Sequence, residues 1–121
     1  MTLTTYTGSC HCGAVRFEAD LDLSEGKQVV SCNCSICSRA GWLLAFTGEE
    51  GFRLLSGEQA TTDYQFAKKH IHHLFCTTCG VRSYGWGNAQ DGKKMYSINV
   101  RCLEGVDPAK LSVQHYDGRS L

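Results

Sequence analysis

Seven of the eight cysteines in this 121-residue chain fall into three tight groups: Cys10-His11-Cys12, Cys32-Asn33-Cys34-Ser35-Ile36-Cys37 and Cys76-Thr77-Thr78-Cys79. Thiols separated by one or two residues converge on a point, which suits a tetrahedral ion, whereas disulfides that staple distant loops usually come from scattered cysteines. The spacing therefore predicts zinc rather than structural disulfides.

CHCG and CTTCG each end in a cysteine followed by glycine. At that position a metal knuckle often needs positive φ, so that backbone N–H groups point at sulfur. Cys10, Cys12, Cys76 and Cys79 together supply four thiolates, the complete set of a closed structural site, and would clamp the start of the chain to its second half. Apparent structural zinc binding is worth roughly 10–16 kcal/mol, against a stability of about 5–15 kcal/mol for a typical domain. Losing this metal should threaten the fold. His11 lies between two ligands and is not needed to complete the set.

CNCSIC is different, because three thiols bind one face of an ion and no fourth ligand follows. If Cys102 closes the set, the site is a second structural one; otherwise a water or substrate takes the fourth position, as in catalytic sites. Three thiolates outweigh the charge of Zn2+, so the centre is a weak Lewis acid toward water. Holding a further thiol as thiolate and delivering it to a small electrophile fits better.

These groups need rigid elements to aim them. Leu3 to Thr7 and Ala14 to Ala19 alternate apolar and polar residues around CHCG, which predicts a hairpin with two thiols at its tip. Further strands are predicted over Gln28–Ser31, Trp42–Phe46, Phe52–Ser56, Thr61–Phe66, Ile71–Phe75, Val81–Trp86 and Met95–Val100, with Ser112–Tyr116 as an edge strand. Ser35–Ala40 reads as a short helix, and Asp107-Pro108 as the cap and first residue of a helical turn. Glycines at 26, 48, 51, 57, 80, 87 and 92 punctuate the strands at the spacing of a mainly β chain. The length suits one domain over residues 1–121.

Twelve basic residues balance twelve acidic ones, so the chain lacks the footprint of a phosphate-backbone binder and nucleic acid is not an expected partner. No apolar stretch approaches the roughly 20 residues that span a bilayer, and the N-terminus shows no secretory pattern. The expected location is the cytoplasm.

The segments GSCHCGAVRFEA, CNCSIC, HLFCTTCGVRSY and NVRCLEGVD resemble the glutathione-dependent formaldehyde-activating enzyme family, which includes centromere protein V. CNCSIC and NVRCLEGVD are most similar to the centromere protein V branch. The resemblance covers nearly the whole chain. It implies an Mss4-like fold of antiparallel sheets with zinc knuckles and one or two short helical turns. It also implies two Zn2+ per chain: a structural zinc on Cys10, Cys12, Cys76 and Cys79, and a second, open zinc on Cys32, Cys34 and Cys37 only. The implied activity is that of a carbon–sulfur lyase, joining glutathione to formaldehyde as S-hydroxymethylglutathione or acting on a related thiol adduct. The alternatives are a glutathione carrier or zinc-stabilised interaction module without turnover, and a redox protein, for which too few thiols remain.

Cys102 reads as a buried or partly buried thiol, with a substrate-site thiol or a fourth zinc ligand as alternatives. Strand alternation puts His70 and His72 on one face and His73 on the other; exposed strand positions account for them, and a general base is the functional alternative. Trp42, Phe46, Tyr64, Phe66, Tyr84 and Trp86 are expected mostly in the strand core, with one or two lining a pocket. Arg39, Arg82 and Arg101 are the candidate cations for the carboxylates of a glutathione-like thiol.

Overall fold

A computed structural model describes residues 3–24, 29–66, 71–89 and 91–120. Strand β2 (Arg16–Leu21) shows how the sequence specifies the architecture. Its alternate residues Phe17, Ala19 and Leu21 are buried, while the residues between them reach solvent, the period-two pattern of a strand with one wet face. It pairs antiparallel with β1 (Thr4–Ser9) on one side and with β5 (Phe52–Ser56) on the other.

The remaining strands are β3 (Val29–Cys32), β4 (Leu44–Gly48), β6 (Thr61–Tyr64), β7 (Ile71–Cys76), β8 (Arg82–Asn88), β9 (Lys94–Asn99) and β10 (Val113–Tyr116). They form a second sheet in the order β10-β3-β4-β9-β8-β7-β6. Neighbours are antiparallel except β10, which runs parallel to β3. Helix α1 (Ser35–Ala40) follows β3 directly and stops at Gly41, whose φ of 73° closes it with an N–H bond to the Cys37 carbonyl.

The core lies where β2 meets the larger sheet. Phe17, Ile98 and Val100 have no exposed surface, and Val15, Val29 and Leu43 pack with them. Phe52 stacks on Phe17 with ring centroids 5.8 Å apart and on Tyr96 at 4.3 Å. Burying a side chain such as Phe17 contributes about 1.5–3 kcal/mol.

The mainly β expectation is met, and the hairpin around CHCG forms as predicted. Strand β4 begins at Leu44 rather than Trp42, and helical turns are more numerous than expected: besides α1, single 3-10 turns occur at Glu49–Gly51, Glu58–Ala60, Val100–Cys102, Pro108–Lys110 and Gly118–Ser120. Asp107 caps its turn as predicted, its Oδ1 accepting from the Ala109 N–H at 3.1 Å. Gly26, Gln28 and His70 lie outside the described residues. No described helix is long and apolar enough to cross a membrane.

Candidate metal centres and the adjoining cavity

Cys10 and Cys12 follow β1, Cys76 ends β7 and Cys79 lies in the next turn. Pairing brings these two distant knuckles together: Sγ of Cys12 is 3.6 Å from that of Cys10 and 3.5 Å from that of Cys76, and all four sulfurs lie within 4.8 Å of one another. Tetrahedral coordination with bonds of about 2.3 Å would space sulfurs by about 3.8 Å, so the set fits zinc.

Backbone donors already address the sulfurs. Val15 N–H lies 3.3 Å from Cys10 Sγ, and the N–H groups of Thr78 and Cys79 lie 3.4 and 3.5 Å from Cys76 Sγ. Backbone N–H groups of Cys12 and Val81 pull the Cys79 thiol down to about 6. Gly13 and Gly80 take φ of +83° and +79°. A Cβ at Gly80 would meet nothing within 4 Å, so its conformation and not crowding is what calls for glycine. His11 is exposed and stands outside this cluster.

The second group gathers Cys32 at the end of β3, Cys34 at the start of α1 and Cys37 inside it, again with sulfurs within 4.8 Å. Donors point at this set, among them Cys34 N–H to Cys32 Sγ at 3.4 Å and the Trp42 indole N–H to Cys37 Sγ at 3.1 Å. Burial pushes the Cys37 thiol up to about 12 against the pull of that indole bond. Burial also acts upward on Cys34, but the backbone N–H groups of Cys37 and Ile36, with the neighbouring thiols, outweigh it and leave Cys34 lowered. Donors aimed at sulfur favour thiolates, the form a metal needs.

Among the described residues no fourth ligand joins this set. Cys102 lies in the turn after β9, its Sγ 3.8 Å from the Arg82 carbonyl. Burial raises its thiol, and the other thiols that act on it are Cys10 and Cys79 of the first cluster. Its surroundings are those of a packed thiol beside the first cluster.

The second set opens on a cavity of about 650 Å³. Opposed residues of paired strands share a face, so Phe46, Ser97, Gly85 and His73 form one row across β4, β9, β8 and β7, and Gly48, Met95, Gly87 and Ile71 the next. Two glycines on β8 leave the floor without side chains. A bulge supplies one back: Tyr84 faces Leu74, but Arg82 rather than Ser83 faces Phe75, which turns Arg82 onto the cavity face. A Cβ at Gly85 would come within 2.3 Å of Arg82 Nη2, so the guanidinium occupies the space glycine leaves.

Arg82 is 4% exposed. Its Nη2 donates to Ser97 Oγ at 2.7 Å and its Cζ lies 4.0 Å from the centroid of the Trp42 ring, while Nε and Nη1 have no partner among the described residues. Burial lowers its pKa to about 10, so it stays cationic at neutral pH. Beside it His73 is 5% exposed, and its Nδ1 donates to the Tyr64 carbonyl at 2.9 Å, which leaves Nε2 as the acceptor of the neutral ring. Burial lowers the His73 pKa, with the Tyr64 bond opposing.

Several expectations are corrected here. His73 is not an exposed strand histidine but part of the cavity wall, whereas His72, on the opposite face, bonds Asp63 and stacks on Trp86 at 3.9 Å. Of the aromatic residues expected in the core, only Trp42 and Tyr84 are buried; Phe46, Tyr64 and Phe66 are exposed, and Phe46, Phe66 and Trp86 border the cavity. Of the three arginines, Arg82 lines the cavity. Arg39 is exposed and bonds the Ser35 carbonyl at 2.7 Å at the helix end, and Arg101 is exposed on its turn.

Two contributors carried no sequence signal that spacing rules would find. Trp42, five residues beyond Cys37, supplies the indole donor. The end of the chain braces CNCSIC: Asn33 N–H donates to the Tyr116 carbonyl, its Nδ2 donates to Asp117 Oδ1 at 2.9 Å, and its Oδ1 accepts from Arg119 N–H at 2.9 Å.

The family model described as glutathione-dependent formaldehyde-activating enzyme matches residues 5–118. The crystal structure of a Rhodobacter sphaeroides protein, a structural-genomics target, is similar at 34% identity with a TM-score of 0.78. That match covers 91% of this chain and 99% of the other.

Proposed function

Because the chain belongs to the glutathione-dependent formaldehyde-activating enzyme family, we propose that it is a zinc-dependent carbon–sulfur lyase acting on S-hydroxymethylglutathione or a related thiol adduct. The observation that carries this is the three-thiol set of Cys32, Cys34 and Cys37, which can hold a metal and opens on a cavity with no fourth ligand among the described residues. Cys10, Cys12, Cys76 and Cys79 take the structural zinc, giving two Zn2+ per chain. When bound at the open set, zinc would lower the pKa of a substrate thiol and hold its sulfur.

The chain's own residues account for the rest. In the direction of synthesis the thiol sulfur bonds to the carbonyl carbon, the C=O π pair moves to oxygen, and the proton lost by sulfur is returned to that oxygen. His73, with Nδ1 committed to Tyr64, presents Nε2 to carry this proton. Arg82, itself buried, supplies fixed positive charge where the alkoxide develops. Trp42 holds Cys37 through its N–H and supports Arg82 with its ring face.

Metal analysis should find two zincs per chain; a single zinc with Cys32, Cys34 and Cys37 freely alkylated would remove the open site. Formaldehyde and glutathione also combine spontaneously, so turnover is measured by exchange NMR of their equilibrium, comparing wild type with Cys34→Ser. Faster exchange with wild type is expected. Equal rates would leave a glutathione carrier.

A further inference from the structure

Among the described residues the cavity offers few partners for the charges of glutathione, the thiol that the family's name implies. Its walls include Leu44, Phe46, Ile71, Met95 and Tyr116, and among the described residues Arg82 is its one permanently charged group, with Nη2 bonded to Ser97 and Nε and Nη1 without a partner. Glutathione carries two carboxylates and an ammonium, and moving such groups against apolar walls without partners is costly. The apolar walls favour leaving the charged body of the thiol outside, with its sulfur beside Cys32, Cys34 and Cys37.

What remains to enter is the carbon half of the adduct. A hydroxymethyl group needs roughly twice a water's share of about 30 Å³, a small part of a cavity of about 650 Å³. Phe46, Ile71, Met95 and Tyr116 are 50%, 52%, 39% and 48% exposed, and apolar side chains gathered around one hollow are the usual mark of a surface that a ligand covers.

Resting on the carbon–sulfur reading, we propose that the cavity takes the carbon half of the thiol adduct as an apolar chain or ring of several carbons, so that the electrophile is an apolar aldehyde larger than formaldehyde. Its oxygen lies toward Arg82 and its hydrocarbon runs along Phe46 and Met95. Addition is balanced as for formaldehyde: the C–S bond forms, the carbonyl π pair becomes the hydroxyl oxygen's, and the thiol proton ends on that oxygen.

S-methyl-, S-butyl- and S-hexylglutathione are stable thioethers that cannot turn over, and their binding to the zinc-loaded protein is measured by calorimetry. Affinity should rise about fourfold per methylene, the equivalent of about 0.8 kcal/mol per buried CH2. Phe46→Ser and Met95→Ser, at exposed positions that do not hold the core, should flatten that slope. Affinity that is flat or falls with chain length, absence of binding, or a slope that persists in both variants would overturn the proposal. Exchange NMR with glutathione plus formaldehyde or hexanal separates the two readings. Acceleration of formaldehyde exchange with flat thioether affinities sinks this proposal and leaves the lyase standing; a steep affinity slope with no acceleration of either aldehyde does the reverse.

Discussion

Replacing Trp42 with phenylalanine removes one group, the indole N–H 3.1 Å from Cys37 Sγ, and keeps an aromatic ring for Arg82 and His73 to pack on. A hydrogen bond to a charged acceptor is worth about 1.5–3 kcal/mol, roughly 10- to 150-fold in an equilibrium constant. Outer-shell partners of metal ligands typically cost 10–100-fold in affinity when removed, so the two routes to a magnitude agree. The bond reaches the three-thiol set and none of Cys10, Cys12, Cys76 and Cys79, so the loss should be confined to one metal. Zinc-loaded protein mixed with a chromophoric chelator should release metal in two phases. In Trp42→Phe the faster phase should accelerate about 10- to 100-fold while the slower keeps its wild-type rate. A fast phase within about twofold of wild type, in a variant with an unchanged far-UV spectrum, would refute the idea that the indole holds Cys37 as thiolate. Acceleration of both phases would mean that the substitution had loosened the fold instead.

Burial of His73 makes stability depend on pH in a fixed direction. Its folded pKa lies below the ordinary value of about 6.5, so the unfolded chain takes up the proton first as pH falls. The associated stability is present above about 6.5 and lost below it. An NMR titration should place the ring midpoint below 6.5, and His73→Gln should remove this part of the acid sensitivity; a midpoint at or above 6.5 would contradict the buried neutral ring. Cys102→Ala should keep both metals, since the thiol belongs to neither set; loss of one zinc equivalent on metal analysis would show it to be a ligand.

The two thiol groups were legible because a knuckle is local: two sulfurs one or two residues apart, followed by a glycine at positive φ, specify much of their own geometry. The hairpin around CHCG was legible for the same reason. Alternation says that Phe46 points to one side of a strand but not whether that side is covered, and here it opens on a cavity. His73 was misread in the same way, and Phe66 was expected on a strand that in fact ends at Tyr64. Arg82 was named with Arg39 and Arg101 by chemistry alone; what singles it out, a bulged residue on β8 that turns it to the face that regular alternation would have given to Ser83, was not legible. The pairing of β10 with β3 placed the tail beside CNCSIC, a contact that only the closed sheet reveals.

That brace has a consequence in time. The three thiols of CNCSIC leave the ribosome well ahead of Tyr116, Asp117 and Arg119, which fix Asn33 between the first two of them and follow it by more than eighty residues. A Cβ at Gly118 would stand 2.6 Å from Cys32 Sγ, so this segment lies directly against the three-thiol set. During synthesis the nascent chain carries three neighbouring thiols without their brace, open to oxidation or to the wrong metal. The four-thiol cluster, by contrast, can gather once Cys79 has emerged, ahead of the brace on CNCSIC.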